Sequence, residues 1–213
     1  NHTHIPVDVQ FPNGRGAVQI SSHGRNSCAI LVDSSVHCWG RNNQGQLGIN
    51  VSVYGSGPQS TPVKMLLPAN SSAVSVGVGN FATCVILTNK SLYCAGEINP
   101  IFNSNAPVHI SGLPNSTFPV GVSVGISHMC VLMDNGSVHC AGSIRTLGAG
   151  FNHSWNQNGN YVTDTIQGFH QVQFPDGGRA TSISVGLTDT CATMENGSVA
   201  CWGVSEGIFG NGI

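Results

Sequence analysis

The cysteines of this chain recur with a fixed spacing. Eight cysteines form four pairs, the members of each pair lie ten residues apart, and a turn residue stands midway between them. The pairs are Cys28 and Cys38, Cys84 and Cys94, Cys130 and Cys140, and Cys191 and Cys201. Such recurrence indicates an internal structural repeat. In the third copy an Asp134-Asn135-Gly136 turn separates two largely apolar stretches, which predicts a β-hairpin whose two cysteines face each other.

Facing positions on a hairpin suit a disulfide. Residues opposite each other at a non-hydrogen-bonded antiparallel position have Cα atoms about 4.5 Å apart, within the range that a disulfide spans. We therefore predict four bridges, each within one repeat. Zinc ligation or reduced core thiols are the alternative, and the spacing disfavours them because zinc sites usually join cysteines across about two to four residues.

Potential N-glycosylation sites are frequent, and together with the disulfides they favour a secreted, extracellular glycoprotein. The acceptors are Asn1, Asn50, Asn70, Asn89, Asn115, Asn135, Asn152 and Asn196. Ordinary turn chemistry is the alternative where glycine follows, as at Asn135 and Asn196, but it does not account for Asn89-Lys90-Ser91. The chain begins at Asn1 without a methionine, so we expect a processed product or a segment of a longer protein.

Charge is sparse, since only 8% of the residues are charged and the net charge is −2. A nucleic-acid partner is disfavoured, because no basic stripe could displace counterions from a phosphate backbone. No apolar run reaches the roughly 18 residues of a membrane-spanning helix, so no membrane span is expected in this segment.

Two further strands precede each hairpin: a Val/Ser/Gly strand, as at 74–79, and a proline-led strand, as at 62–65. No window has a sustained helical period, which predicts an all-β chain. Both faces of the hairpins are apolar, and radially stacked propeller blades would cover both. A β-sandwich is the alternative, although it would show stricter alternation of apolar and polar residues.

We predict one repeat domain over residues 1–213, a propeller-like array of four blades that each contain a bridged hairpin. The blades are built around residues 17–48, 73–97, 119–148 and 180–213, with insertions at 49–61 and 143–169. The last copy stops after its third strand, whereas residues 5–9 form a surplus proline-led strand. We expect this strand to complete the last blade of the same or of a neighbouring molecule, and donation to a neighbour would build a fibre.

The stretch 38–48 reads Cys-Trp-Gly-Arg-Asn-Asn-Gln-Gly-Gln-Leu-Gly. It resembles the repeat of the regulator of chromosome condensation family, whose blades carry Trp-Gly-x-Asn-x-x-Gly-Gln-Leu-Gly. The other copies keep less of it: 201–203 retains the tryptophan, and 94–96 and 140–142 retain only the glycine. The resemblance implies a β-propeller, with seven blades usual in that family. Cysteine-containing repeats of this kind resemble those outside the cell in crinkly-type plant receptor kinases.

No catalytic set recurs among the repeats. His37 and His139 precede the second cysteine of their hairpins, where the other copies have Tyr93 and Ala200, so we interpret them as packing residues. No paired general acid and base recurs among the repeats. The family's nucleotide-exchange activity belongs to a nuclear protein and is not carried over. We therefore expect no enzyme activity, metal or cofactor.

One insertion has the composition of a contact loop. Phe151, Trp155 and Tyr161 stand among Asn, Gly and Ser residues, and aromatics in such a setting contribute contact area. A solvated loop with a glycan on Asn152 is the alternative.

These features favour a glycosylated extracellular structural or adhesive protein, a building block of a surface fibre whose partners are its own copies or other extracellular proteins. The ligand-binding ectodomain of a cell-surface receptor is the second hypothesis. A glycan-acting enzyme is the third and the least supported.

Overall fold

The computed structural model describes residues 4–51, 57–143 and 165–203. Within them the chain is all-β apart from two short 3₁₀ turns, Pro12–Gly14 and Pro175–Gly177. The strands in chain order are β1 (Ala17–His23), β2 (Asn26–Leu31), β3 (Val36–Gly40), β4 (Gln59–Lys64), β5 (Ala73–Val78), β6 (Ala82–Leu87), β7 (Leu92–Ile98), β8 (Phe102–Ile110), β9 (Pro119–Val124), β10 (His128–Met133), β11 (Val138–Ser143), β12 (Thr165–Gln171), β13 (Ala180–Val185), β14 (Asp189–Met194) and β15 (Val199–Gly203). No helix among the described residues is long and apolar enough to span a membrane.

The strands form four antiparallel sheets, each a meander of consecutive strands. Blade 1 contains β1 to β4, blade 2 contains β5 to β8, blade 3 contains β9 to β12, and blade 4 contains β13 to β15. This arrangement of four blades confirms the predicted all-β propeller architecture.

The disulfide prediction is confirmed. Each pair of cysteines is bridged within its own blade, across the second and third strands of the sheet. The Cα atoms of each bridged pair lie 4.0 to 4.1 Å apart, as direct cross-strand neighbours should.

The hairpin tips are closed by one repeated side-chain interaction. Asp33, Asn89, Asn135 and Asn196 occupy equivalent tips, and the Oδ1 atom of each accepts hydrogen bonds from the N–H and hydroxyl of the serine two residues later. Asp and Asn favour such turns because their short side chains bond to the nearby backbone. The midpoint residue between the cysteines therefore sets the register that brings them together.

A glycine follows the second cysteine in all four copies for a steric reason. Gly40, Gly96, Gly142 and Gly203 have φ between 99° and 125°. A Cβ atom at any of them would overlap a backbone carbonyl at the start of the second strand, for example that of Arg25 beside Gly40. The glycine is thus required in all four blades.

Consecutive blades pack face to face around their inner strands, with β1 against β5, β5 against β9, and β9 against β13. An apolar core fills each of these interfaces. We name the face of a blade that meets the following blade its forward face and the opposite one its backward face. The forward face carries the disulfide, because Cys28 and Cys38 belong to the core between blades 1 and 2.

The described strands of the four blades form an open arc. The described strands of blade 4 do not pack on those of blade 1 as consecutive blades pack on each other. Residues 5–9 have no strand conformation, Val7 is 70% exposed, and the described strands of blade 4 are β13 to β15. Completion of the last blade by this segment, in the same or in a neighbouring molecule, stays a prediction.

The boundaries of the predicted insertions shift. Gln59 already begins β4 and Thr165 already begins β12, so the last residues of both insertions belong to the outer strands of blades 1 and 3. Neither stretch has the apolar alternation that marks the other strands, because outer strands are only partly buried.

Candidate interaction surface at the two ends of the arc

The interior interfaces show what a forward face requires. In each, a disulfide sulfur lies against the residue that precedes the first cysteine of the next blade. Cys28 Sγ is 3.7 Å from Thr83 Oγ1, Cys84 Sγ is 3.6 Å from Met129 Sδ, and Cys130 Sγ is 3.8 Å from Thr190 Oγ1. These cysteines are fully buried. The contact therefore recurs with different chemistry in all three interfaces.

A second interior contact joins the inner strands. Ser21 Oγ accepts the Val78 N–H at 3.0 Å, and Ser123 Oγ accepts the Val185 N–H at 3.0 Å. The equivalent residue of blade 2 is Gly77, where an added Cβ atom would overlap the Val122 carbonyl. A forward-face hydroxyl thus satisfies a backbone donor of the next blade wherever the two strands leave room for it.

Blade 4 exposes its forward face. Val36, Leu92 and Val138 are equivalent residues of blades 1 to 3 and are at most 1% exposed, whereas Val199 at the same position of blade 4 is 66% exposed. Cys191 and Cys201 are only partly buried, and Thr193 and Ser184 are exposed. This face has the residues of an interior interface but no described partner blade.

Blade 1 exposes the inner part of its backward face. Ile20 is 65% exposed, whereas the equivalent Val76 and Val122 are 3% and 7% exposed because a preceding blade covers them. Ser22 beside it is also exposed. The outer part is covered, since Leu31 is buried and Phe11 packs edge-on against Trp39 at 5.9 Å between ring centroids. Among the described residues, each end of the arc therefore presents an exposed face that no blade covers.

A polar position at the start of the second strand also points toward the next blade. In blade 1 the Asn26 amide donates to the Gly79 carbonyl oxygen at 2.7 Å, and in blade 3 His128 Nε2 lies 3.0 Å from Thr190 Oγ1. Burial lowers the pKa of His128 to about 4. The equivalent residue of blade 4 is Asp189, which is partly exposed.

The two histidines that the sequence analysis interpreted as packing residues lie in the blade interiors. His37 and His139 are buried, and each lies within hydrogen-bond distance of a serine hydroxyl, Ser35 and Ser137 respectively. Burial lowers the pKa of both imidazoles, which favours their neutral form. Among the described residues no group of three His, Cys, Asp or Glu side chains is arranged to hold a metal ion.

The described acceptor asparagines are all exposed. They are Asn50, Asn70, Asn89, Asn115, Asn135 and Asn196. Asn1, Asn152 and the predicted contact loop with Phe151, Trp155 and Tyr161 lie outside the described residues.

The sequence reasoning missed the connectors that lead into blades 1 and 4. Phe11 and Phe174 each precede a Pro-x-Gly turn, and Phe174 packs on Trp202 as Phe11 packs on Trp39, at 5.6 Å between centroids. The recurrence of Gln-Phe-Pro-x-Gly was a signal for this arrangement. His128 was missed because no other blade has histidine at its position.

Comparison with known proteins supports the repeat assignment. Two models described as the regulator of chromosome condensation (RCC1) repeat match residues 33–86 and 17–46. The Arabidopsis thaliana protein "Ultraviolet-B receptor UVR8" is 44% identical over 48 residues, which is 22% of this chain and 11% of that protein.

Solved structures show the same fold. Human WBSCR16 superposes with a TM-score of 0.71 at 17% identity, over 95% of this chain and 50% of that one. The ectodomain of the Physcomitrella patens receptor kinase CR4 superposes with a TM-score of 0.56 at 19% identity, over 95% of this chain and 45% of that one. The chain thus spans at most about half the length of these relatives. Regulator of chromosome condensation repeats are thus recognised within residues 17–86, and the described chain has a β-propeller fold of four blades.

Proposed function

We propose that this protein is a non-enzymatic, glycosylated structural component of an extracellular assembly, in which copies join end to end. The observation that carries the proposal is the contrast between Val199, which is 66% exposed, and Val36, Leu92 and Val138, which are at most 1% exposed at equivalent positions. Burying a valine side chain stabilises an interface by about 1.5 to 3 kcal/mol, so an exposed face of this kind favours association.

The extracellular part of the proposal is supported by the covalent chemistry of the chain. Four disulfides in 213 residues are consistent with an oxidising compartment. Three of the exposed acceptors, Asn89, Asn135 and Asn196, stand at hairpin tips where a bulky sugar displaces no core residue. Mass spectrometry of intact glycopeptides should find these three asparagines occupied, and bare asparagines would contradict the glycoprotein assignment.

The assembly part is tested by placing a charge on the exposed end. Val199→Glu should abolish association in sedimentation velocity runs, because a carboxylate would be desolvated in the joint. The matched control is Val120→Glu, since Val120 is 43% exposed but lies at a strand irregularity of blade 3, away from both ends of the arc. Assembly that survives Val199→Glu, or a wild-type chain that stays monomeric at every concentration, overturns the proposal.

A receptor ectodomain is the second candidate function. It is favoured by the likeness of the fold to the CR4 ectodomain, a likeness of fold alone at 19% identity. In that case the exposed faces would meet other domains of a longer chain or a ligand. A wild-type chain that stays monomeric up to high concentration and does not form filaments in electron micrographs would favour this candidate.

A further inference from the structure

We infer that the joint between copies repeats the interior blade-to-blade packing in register, so that Ser184 on the forward face of blade 4 meets Ser22 on the backward face of blade 1 of a second copy. The inference rests on the proposed function and adds to it the two surfaces and their alignment.

The register follows from the strand pairing of the four blades. On the forward side, Ser21, Gly77, Ser123 and Ser184 each pair across the sheet with the first cysteine of their blade. On the backward side, Ser22, Val78 and Val185 each pair with the residue before that cysteine. Each residue at the ends of the arc therefore has a counterpart in an interior interface.

The serine contact gives the joint its alignment. Ser21 and Ser123 accept the N–H groups of Val78 and Val185 from the next blade. If blade 4 of one copy packs on blade 1 of a second copy with the same geometry, Ser184 Oγ accepts a hydrogen bond from the Ser22 N–H of that second copy. Ser184 is exposed, and no described strand pairs with the free edge of β13. The Ser184 hydroxyl is therefore available for this bond.

The disulfide contact agrees with the same register. The residues that receive a disulfide sulfur in the interior are Thr83, Met129 and Thr190, and their counterpart in blade 1 is Ser27. Ser27 is partly exposed and its Oγ lies 2.9 Å from Ser22 Oγ. The partly exposed Cys191–Cys201 bridge would cover this hydroxyl pair, and Val199 would be buried beside it.

Charge complementarity favours this joint over a random contact of the two faces. In the interior the Asn26 amide reaches the carbonyl of Gly79, the counterpart of His23 in blade 1. Asp189 on the forward face would therefore approach the turn that contains Arg25. An acidic group on one end thus meets a basic group on the other, which suppresses head-to-head contacts.

The described strands of blades 1 and 4 do not pack on each other as consecutive blades do, and the inferred joint places the forward face of one copy on the backward face of a second copy. The two faces differ, so the contact is head to tail and can be repeated by every added copy. Such a contact produces a large ring or a filament according to the rotation between copies.

The register is tested by an intermolecular cross-link. Equal amounts of a Ser184→Cys chain and a Ser22→Cys chain are mixed and oxidised, and cross-linked dimers are measured on a non-reducing gel. Since each chain carries one added cysteine, a Ser184-to-Ser22 bridge can form only between copies. The matched control replaces Ser184→Cys with Ser182→Cys, which lies on the same face two residues away. We expect at least a tenfold higher yield for the Ser184 pair.

The outcomes separate the inference from the proposed function. Equal yields in the two mixtures, or a higher yield with Ser182→Cys, would overturn the register while end-to-end assembly stands. Wild-type assembly without any cross-link would show that other surfaces make the joint. A wild-type chain that does not associate overturns both. Peptide mapping of the four native bridges in each variant shows that the fold is intact, and yields are compared only between correctly bridged chains.

Discussion

At the residue scale, equivalent positions in different blades carry side chains of different chemistry. Some of these side chains are buried against the next blade, and others are exposed at an end of the arc. Asn26, His128 and Asp189 begin the second strand of blades 1, 3 and 4. Asn26 and His128 are buried and bonded to the next blade, whereas Asp189 stands at an open end. In the single molecule a carboxylate is tolerated there because it remains in contact with water.

His128 should make the fold sensitive to acid. Burial lowers its pKa to about 4, below the ordinary value near 6.5. Between these two pH values the imidazole is protonated in the unfolded chain and neutral in the folded chain. The free energy of unfolding should therefore fall by about 3 kcal/mol as the pH drops from 6.5 to 4. Urea unfolding at several pH values measures this. His128→Asn, which copies Asn26 of blade 1, should remove most of the slope, and an unchanged slope would contradict the assignment.

The four disulfides should differ in their resistance to reduction. Six of the cysteines are fully buried, whereas Cys191 and Cys201 are partly exposed. A small phosphine should therefore cleave the Cys191–Cys201 bridge at least tenfold faster than the others in dilute, unassembled protein, since the reductant must reach a sulfur atom. Alkylation followed by peptide mapping gives the order. Cleavage of all four bridges at one rate would show that blade 4 is not more accessible.

At the element scale, residues 5–9 match the outer strand of blade 1 in sequence. Pro6, Val7 and Val9 correspond to Pro62, Val63 and Met65. In blade 1, Val63 pairs with Cys38, and the Met65 N–H donates to the Val36 carbonyl oxygen. A segment donated to β15 of a neighbouring copy would thus pair Val7 with Cys201 and place the Val9 N–H on the Val199 carbonyl oxygen.

Removing residues 1–8 should weaken assembly without weakening the single molecule. Val7 is 70% exposed, so its loss should leave the thermal midpoint of dilute protein within about 2 °C. The concentration needed for assembly should rise at least tenfold, which corresponds to about 1.4 kcal/mol. Light scattering over a dilution series measures this concentration. If the truncated chain assembles at the same concentration as the full chain, the segment has no part in the joint.

The hairpins could be predicted from the sequence because a constant cysteine spacing and a turn residue determine which positions face each other. The exposure of the two end faces of the arc could not be predicted from the sequence. Val199 is as apolar as Val36, and nothing in either residue's neighbourhood along the chain shows that only one of them is covered. The starts of the outer strands β4 and β12 were predicted a few residues too far along the chain. Gln59 and Thr165 are polar, and the strands that they begin are only partly buried.

At the scale of the whole molecule, low charge should make the assembly insensitive to salt. Only 8% of the residues are charged, and the net charge is −2. Screening therefore removes little attraction between copies, whereas sulfate strengthens apolar burial by exclusion from the surface. The association constant should change less than threefold between 50 and 500 mM sodium chloride and rise in sodium sulfate. A steep loss with sodium chloride would show that charged contacts, and not apolar burial, dominate the joint.

The bridged hairpin at the centre of every blade also has a mechanical consequence. A disulfide prevents the residues between its cysteines from being drawn out, because a covalent bond carries the load in place of the hydrogen bonds between the two strands. When a blade is pulled apart, the chain between positions such as 28 and 38 stays folded back on itself. At about 3.3 to 3.6 Å per residue, this withholds roughly 30 Å of extension from each blade. A filament of such molecules would lengthen in short steps when pulled, and the four disulfide-closed hairpins of every molecule would stay closed.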